Sequence, residues 1–228
     1  MLAHLPVLQV IVPLLAAPLC LMLRRPRLVW LFSLLVSTCT FLISILLLQQ
    51  VMVSGIVIYE LGGWEAPWGI EYRIDKLNAF LLLIITALST VILLAAQVSI
   101  EKEISEDKHT LFYVLYLLSL TGMLGITATG DAFNVFVFLE ISSLSAYALI
   151  ALGKDRRALW ASFQYLIMGT IGATFILIGI GMMYQMTGTL NMADLSERLP
   201  ELSQTRTVFA AFTFVIVGIC LKLALFPL

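Results

Sequence analysis

The sequence predicts an all-α polytopic membrane protein, with about seven transmembrane helices and one short β-hairpin outside the lipid. Of the 228 residues, 61% are hydrophobic and 12% are charged, whereas a soluble domain is close to half apolar and about a quarter charged. The hydrophobic residues form runs separated by polar, glycine- or proline-containing stretches. Most of these runs reach the ~20 residues that a helix needs to cross the hydrocarbon core of a bilayer.

The first two predicted helices form a tight helical hairpin. The first covers about residues 5–23 and ends at the sequence RRPR, and the second covers about residues 28–53. The arginines follow the first apolar run instead of preceding it, so this run lacks the basic amino-terminal region of a cleavable signal peptide. We therefore predict that it is retained as a membrane anchor.

Residues 54–77 show a different pattern. The segment YELGGWEAPWGIEYRID alternates apolar and polar residues around a glycine pair and a proline, which predicts a short β-hairpin outside the membrane. Trp64 and Trp68 suit the membrane–water interface, where aromatic rings with a polar edge are enriched.

Five further spans follow. They cover about residues 78–100, 110–129, 132–152 and 158–187, and a last helix that begins near residue 207. Residues 101–109 are predicted to be a solvated loop of mixed charge, and residues 188–206 a polar surface stretch. In the sixth span, Gly169, Gly172 and Gly179 form a stripe of small residues that lets another helix approach closely.

The basic residues predict an orientation with the amino terminus outside a cell (inner) membrane. Eight would then lie on the inner side and four on the outer side, which satisfies the positive-inside rule. The inner set is Arg24, Arg25, Arg27, Lys102, Lys108, Lys154, Arg156 and Arg157, and the outer set is Arg73, Lys76, Arg198 and Arg206. No boundary of a soluble domain is evident, so residues 1–228 are predicted to form a single membrane domain.

The composition argues against several classes of site. Cys20, Cys39 and Cys220 lie in separate apolar runs, and His4 and His109 are far apart, so no metal or iron–sulfur site is expected. No basic stripe for nucleic acid is present. Neither a nucleophile–base set nor a cofactor fingerprint appears, so we expect no bound cofactor.

Glu140 is the most informative residue of the sequence. It lies near the middle of the apolar run 130–152, where a carboxylate costs a few kcal/mol. Ser143 and Tyr147 follow it on the same helical face, where hydroxyl groups could hold water beside a carboxylate. We interpret Glu140 as part of a route for protons or cations. The alternative is a protonated or hydrogen-bonded glutamate that only joins two helices.

Two more polar residues lie inside predicted spans. Lys222 is about 15 residues into the last helix and is followed by Pro227, which is expected to break that helix. Broken helices at membrane depth often mark ion sites. A buried acid and a buried amine suggest an ion pair whose protonation depends on distance. The alternative for Lys222 is snorkelling to an interface, and for Gln164 it is an interhelical hydrogen bond.

Three stretches resemble a known family, the antiporter-like membrane subunits of Mrp-type cation/proton antiporters, membrane-bound hydrogenases and NADH:quinone oxidoreductases. They are residues 129–152, 184–195 and 219–228, and their amino-acid sequences are most similar to those of the D subunits of Mrp antiporters. The resemblance implies that Glu140 and Lys222 are the acid–amine pair of the fifth and the broken seventh helices, which is central to proton movement. It also implies neighbouring hydrophobic subunits and places electron carriers in other proteins.

The chain departs from this family at two points. Many members carry a lysine in the sixth helix where this chain has Gln164, so Gln164 is the candidate for a polar group in the pathway at that level. Family members have about fourteen helices in two inverted repeats. The chain therefore resembles the front half of such a subunit, an incomplete first repeat with residues 110–228 as the start of the proton-translocating unit.

The resemblance leaves three functions open. The first is a subunit of a monovalent cation (Na⁺ or K⁺)/proton antiporter that moves protons through Glu140 and Lys222. The second is a proton-translocating membrane-arm subunit of a NADH:quinone oxidoreductase or a membrane-bound hydrogenase. The third is a truncated scaffold that conducts no ions.

Overall fold

The computed structural model describes residues 4–23 and 25–225, which are mainly helical. In chain order the elements are α1 (Leu5–Cys20), α2 (Pro26–Ser54), β1 (Val57–Glu60), β2 (Glu71–Ile74), α3 (Lys76–Glu103), α4 (His109–Ala128), α5 (Ala132–Ala151), α6 (Arg156–Thr187), α7 (Met192–Leu202) and α8 (Arg206–Lys222). Among the described residues, the five helices α2 to α6 are long and apolar enough to cross a membrane, and α1 is a shorter apolar helix. The predicted fold class, a polytopic helical membrane protein, is confirmed.

Short connections make the helix ends alternate between two faces of the bundle. On one face, Tyr72 of β2 pairs with Thr129, and Asp131 pairs with Asn191. We call this the hairpin face. On the other face, Ile104 after α3 pairs with Gly153 after α5. This opposite face also contains the connection between α1 and α2.

The predicted β-hairpin is present on the hairpin face. Strands β1 and β2 are antiparallel, with Val57 opposite Ile74 and Glu60 opposite Glu71. Glu71 is buried, and its Oε1 accepts a hydrogen bond of 2.9 Å from the Asn191 side chain. Its carbonyl accepts another from the backbone N–H of Gly130. These two hydrogen bonds anchor the hairpin on the α4–α5 and α6–α7 connections.

Buried hydroxyl groups join the first three helices. The Gln9 side chain of α1 donates a 2.7 Å hydrogen bond to Ser44 of α2, and Ser44 lies 3.0 Å from the hydroxyl of Thr86 in α3. Nearer the opposite face, Ser37 of α2 and Ser89 of α3 form a second hydroxyl contact of 3.0 Å. Such small polar groups hold helices together in lipid, where apolar surface gives little drive for association.

Two polar stretches contain more helix than the sequence indicates. The surface stretch 188–206 includes α7, which is capped by Asn191. The Asn191 side chain accepts hydrogen bonds from the backbone N–H groups of Ala193 and Asp194. The helix continues through Pro200 near its end, where a missing N–H leaves one carbonyl to solvent. The predicted loop 101–109 is also shorter than expected, because α3 continues to Glu103 and a 3-10 turn covers Glu106–Lys108.

Asp131 begins α5 by capping it. Its carboxylate accepts a 2.7 Å hydrogen bond from the backbone N–H of Asn134, and the Asn134 side chain donates to the Thr129 hydroxyl. Burial raises the pKa of Asp131 above its ordinary value, and the hydrogen bonds from the backbone of Asn134 and Phe133 offset part of this rise. The cap therefore fixes the start of α5, and with it the depth at which Glu140 lies.

We expect the change in unfolding free energy caused by Asp131→Asn, relative to the wild type, to be more favourable at neutral pH than at acidic pH. Because the folded-state pKa is raised, the contribution of Asp131 to stability is complete below the unfolded-state pKa and is lost as pH rises through the folded-state pKa. Asparagine does not titrate and is an equally good helix cap. Thermal unfolding in detergent measures this, with Asp155→Asn at the exposed cap of α6 as the control. A pH-independent difference would contradict the prediction.

Candidate functional site

The candidate site is built by α5, α6 and α8, with α6 packed against the other two. A Cβ atom added to Gly172 of α6 would lie 3.0 Å from the carbonyl oxygen of Gly218 in α8, and one added to Gly218 would lie 2.6 Å from that of Gly172. Two turns further along α6, a Cβ on Gly179 would lie 2.7 Å from the carbonyl oxygen of Ala211. The backbones of α6 and α8 are therefore in direct contact along the predicted glycine stripe.

This close contact brings the two predicted charged residues together. Lys222 Nζ of α8 lies 2.8 Å from Glu140 Oε1 of α5 and also donates a 2.8 Å hydrogen bond to the Ser143 hydroxyl. The lysine side chain is 12% exposed and the glutamate side chain 22%. Glu140 lies about 12 Å along α5 from its first residue, at 1.5 Å per residue. The pair is thus a mostly buried acid–amine contact near the middle of an apolar helix.

Tyr147 lies farther along α5, at its contact with α6. Its ring packs edge-on against Tyr165, with ring centroids 4.6 Å apart, and its carbonyl accepts a 2.7 Å hydrogen bond from Ser162. A Cβ atom at Gly169 would overlap the Tyr147 hydroxyl. Of the three glycines in the stripe, Gly169 therefore allows the close α5–α6 contact, whereas Gly172 and Gly179 allow the α6–α8 contact.

The structure does not bring Gln164 into this group. Gln164 is exposed on α6, and no hydrogen bond joins it to Glu140 or Lys222 within the described residues. The predicted helix break at Pro227 lies outside the described residues. Among those described, α8 ends at Lys222, and Ala224 has a positive φ of 49°. The ammonium group is thus carried by the last residue of the helix.

Sequence reasoning missed two glycines that position α5. A Cβ on Gly122 of α4 would lie 2.6 Å from the Cβ of Ser142, and one on Gly125 would collide with the Phe138 ring. Both glycines let α4 approach the α5 helix that carries Glu140. Their three-residue spacing in TGMLG is the signal that could have identified them.

The chemistry of this arrangement depends on distance. The attraction between opposite charges 2.8 Å apart is strong in a medium of low dielectric constant and weakens as the charges separate. Ser143 offers Lys222 a second hydrogen-bond acceptor next to Glu140. The strength of this contact therefore depends on how far α8 lies from α5.

The Gly169–Tyr147 contact gives a mutational test. We expect Gly169→Ala to destabilise the protein by about 1–3 kcal/mol, the usual cost of overpacking, because the new methyl group overlaps the Tyr147 hydroxyl. Tyr147→Phe removes that hydroxyl and should recover part of the loss, so a double-mutant cycle by thermal unfolding would show coupling. Additive effects of the two substitutions would contradict the contact.

Comparisons with known proteins agree on one family. Residues 129–228 match the family described as "NADH:quinone oxidoreductase/Mrp antiporter, TM". The chain is 42% identical, over its whole length, to the N subunit of a NADH-quinone oxidoreductase from Desulforudis audaxviator, of which it covers 46%. It is 34% identical to the D subunit of a Na(+)/H(+) antiporter from Bacillus subtilis, with 97% of this chain and 45% of that protein aligned.

A solved structure of a respiratory membrane complex contains a chain with a similar fold. The chain superimposes on a chain of the membrane-bound sulfane sulfur reductase, an archaeal respiratory membrane complex, with a TM-score of 0.89 and 33% identity. The match covers 98% of this chain and 46% of that one. The chain thus spans about half the length of the relatives it matches.

Proposed function

Because this chain belongs to the family of antiporter-like membrane subunits found in NADH:quinone oxidoreductases and Mrp antiporters, we propose that it moves protons through Glu140 and Lys222. The complex would be a multi-subunit monovalent cation (Na⁺ or K⁺)/proton antiporter, with other hydrophobic subunits as partners. The observation that supports this most directly is the 2.8 Å contact between Lys222 Nζ and Glu140 Oε1.

The proposed transfer step uses the side chains around this contact. A proton that reaches Glu140 neutralises the carboxylate and weakens its hold on the ammonium of Lys222, which keeps its bond to Ser143. Loss of that proton restores the ion pair. Each state favours a different separation of α5 and α8, so proton binding is coupled to a small movement of α8.

The proposed orientation places the hairpin face outside a cell (inner) membrane. The opposite face carries Arg25, Lys108 and Lys154 in its connections, in line with the positive-inside rule. A membrane-impermeant thiol reagent should then label Gly63→Cys in intact cells and label Ser105→Cys only after lysis. The reverse labelling would overturn the orientation.

A second candidate function has its own support. The 42% identity with a NADH-quinone oxidoreductase subunit extends over the whole chain, and the superimposed solved structure belongs to a respiratory complex. The same acid–amine pair would then translocate protons in a membrane arm, while partner subunits carry out the electron transfer.

The native complex, purified through a tag on this chain and placed in proteoliposomes, tests both candidates. Proton movement driven by a Na⁺ or K⁺ gradient supports the antiporter, and movement driven by NADH and a quinone supports the redox-driven arm. Lys222→Met should abolish either activity. Full activity in that variant would overturn the role of the pair. This chain would then be a scaffold that conducts no ions, in a complex whose protons move through other subunits.

A further inference from the structure

A cavity on the opposite face lies away from the acid–amine site. Its volume is about 570 Å³, and its lining includes Arg25, Arg27, Glu101, Glu106 and His109, within the range of small-molecule sites. These residues come from the α1–α2 connection, the start of α2, the last turn of α3, and the connection to α4. The cavity therefore lies where four helix ends meet the membrane–water boundary.

One part of the lining suits a phosphate group. Arg25 and Arg27 provide two guanidinium groups, and neither forms an ion pair with another described residue. Helix α2 begins here at Pro26 without a side-chain cap, and α4 begins at His109 without one. The amino end of a helix carries partial positive charge, which favours a phosphate beside the arginines.

Another part of the lining suits a cation. Glu101 and Glu106 contribute two carboxylates to the same cavity. Among the described lining residues, the formal charges of the two arginines and the two glutamates sum to zero. A purely anionic headgroup would face two carboxylates, and a lone cation would face two guanidinium groups. A ligand that carries a phosphate and an ammonium satisfies both pairs.

A path for an acyl chain begins at the cavity. Leu28 lines the cavity and is exposed, and Leu31 and Leu35 follow on α2 at three- and seven-residue spacing, also exposed. These three leucines lie on one helical face that runs from the cavity into the hydrocarbon region. A ligand that contacted this face would need an apolar tail as well as a charged head.

We propose that the cavity binds the headgroup of a phospholipid with a phosphate and a primary ammonium, the chemistry of phosphatidylethanolamine. Arg25 and Arg27 hold the phosphate, and Glu101 and Glu106 accept hydrogen bonds from the ammonium. One acyl chain follows the leucine stripe of α2. The lipid would join the α1–α2 and α3–α4 hairpins at their ends.

The test uses the native complex in nanodiscs that contain equal amounts of phosphatidylethanolamine, phosphatidylcholine and phosphatidylglycerol. The lipid that remains bound after extraction into mild detergent is quantified by mass spectrometry. We expect retention of phosphatidylethanolamine over both others by roughly tenfold, as one charge-assisted hydrogen bond would give. Arg25→Gln with Arg27→Gln should remove this preference, and Glu101→Gln with Glu106→Gln should shift it to phosphatidylglycerol.

Matched controls change the same charges outside the cavity. Lys102→Gln with Arg156→Gln, and Glu103→Gln with Asp107→Asn, should leave the preference intact. Equal retention of the three lipids, or a preference that survives both cavity variants, would overturn the proposal. Inorganic phosphate separates the sources: if the wild type binds it through Arg25 and Arg27 while retaining the three lipids equally, the cavity is a site for soluble anions and the lipid assignment is wrong.

Discussion

Glu140→Gln is expected to lower proton-coupled transport by the assembled complex on the order of 10²-fold, the low end of what positioned proton donors contribute. Glutamine keeps the size of the side chain and can still accept a hydrogen bond from Lys222, but it cannot take up a proton. Proton uptake by proteoliposomes, followed with a pH-sensitive dye, measures the loss. Glu197→Gln on the exposed face of α7 removes the same charge outside the membrane-spanning helices and should have no effect.

The same substitution should also reduce stability, because it leaves the Lys222 ammonium mostly buried and without its counter-ion. Breaking a buried pair by removing one partner costs about 3 kcal/mol. Adding Lys222→Met removes the unpaired charge, so the double variant should unfold at a higher temperature than Glu140→Gln alone while remaining inactive. Equal stability of the single and double variants would show that the two side chains are not paired.

Gly172→Leu is the substitution for which we expect the second largest effect on stability and transport. A Cβ atom at this position meets the carbonyl oxygen of Gly218 at 3.0 Å and the Cβ of Leu221 at 3.2 Å, so a leucine must push α8 away from α6. We expect a stability loss of about 1–3 kcal/mol. Because displacement of α8 also moves Lys222 away from Glu140, transport should fall with stability.

Gly181→Leu is the matched control for this prediction. Gly181 lies in the same helix, and a Cβ added there meets no atom within 4 Å. Leucine is a better helix former than glycine by several tenths of a kcal/mol, so this variant should be as stable as the wild type or more stable. Similar losses in both variants would mean that the α6–α8 contact is not what positions Lys222.

The charged pair was predictable in part. Glu140 and Lys222 stand out because each interrupts an apolar run, but they are 82 residues apart in sequence. Their contact depends on how closely α8 crosses α6. Gly172 indicated a close helix contact, whereas its counterpart Gly218 is a single glycine in an apolar run and was not recognised. The glycine pattern of a sequence shows that some helix can approach closely, and only the fold shows which helix does so.

Two other predictions show the limits of sequence patterns. Gln164 was a candidate for the pathway, but it lies two residues from buried Ser162, and two residues turn a helix by about 200°. It therefore points away from the face that Ser162 presents. Helix α7 was missed because polar residues and Pro200 dominate its stretch. Its signal was the Asn191 cap followed by Leu195 and Leu199, which contribute to one hydrophobic cluster.

Lys222 lies at the carboxyl end of α8, and this position bears on how its charge is stabilised. The carbonyl groups at a helix carboxyl end carry partial negative charge and favour a nearby cation. The charge of Lys222 therefore has two sources of stabilisation, the carboxylate of Glu140 at 2.8 Å and the carboxyl end of its own helix.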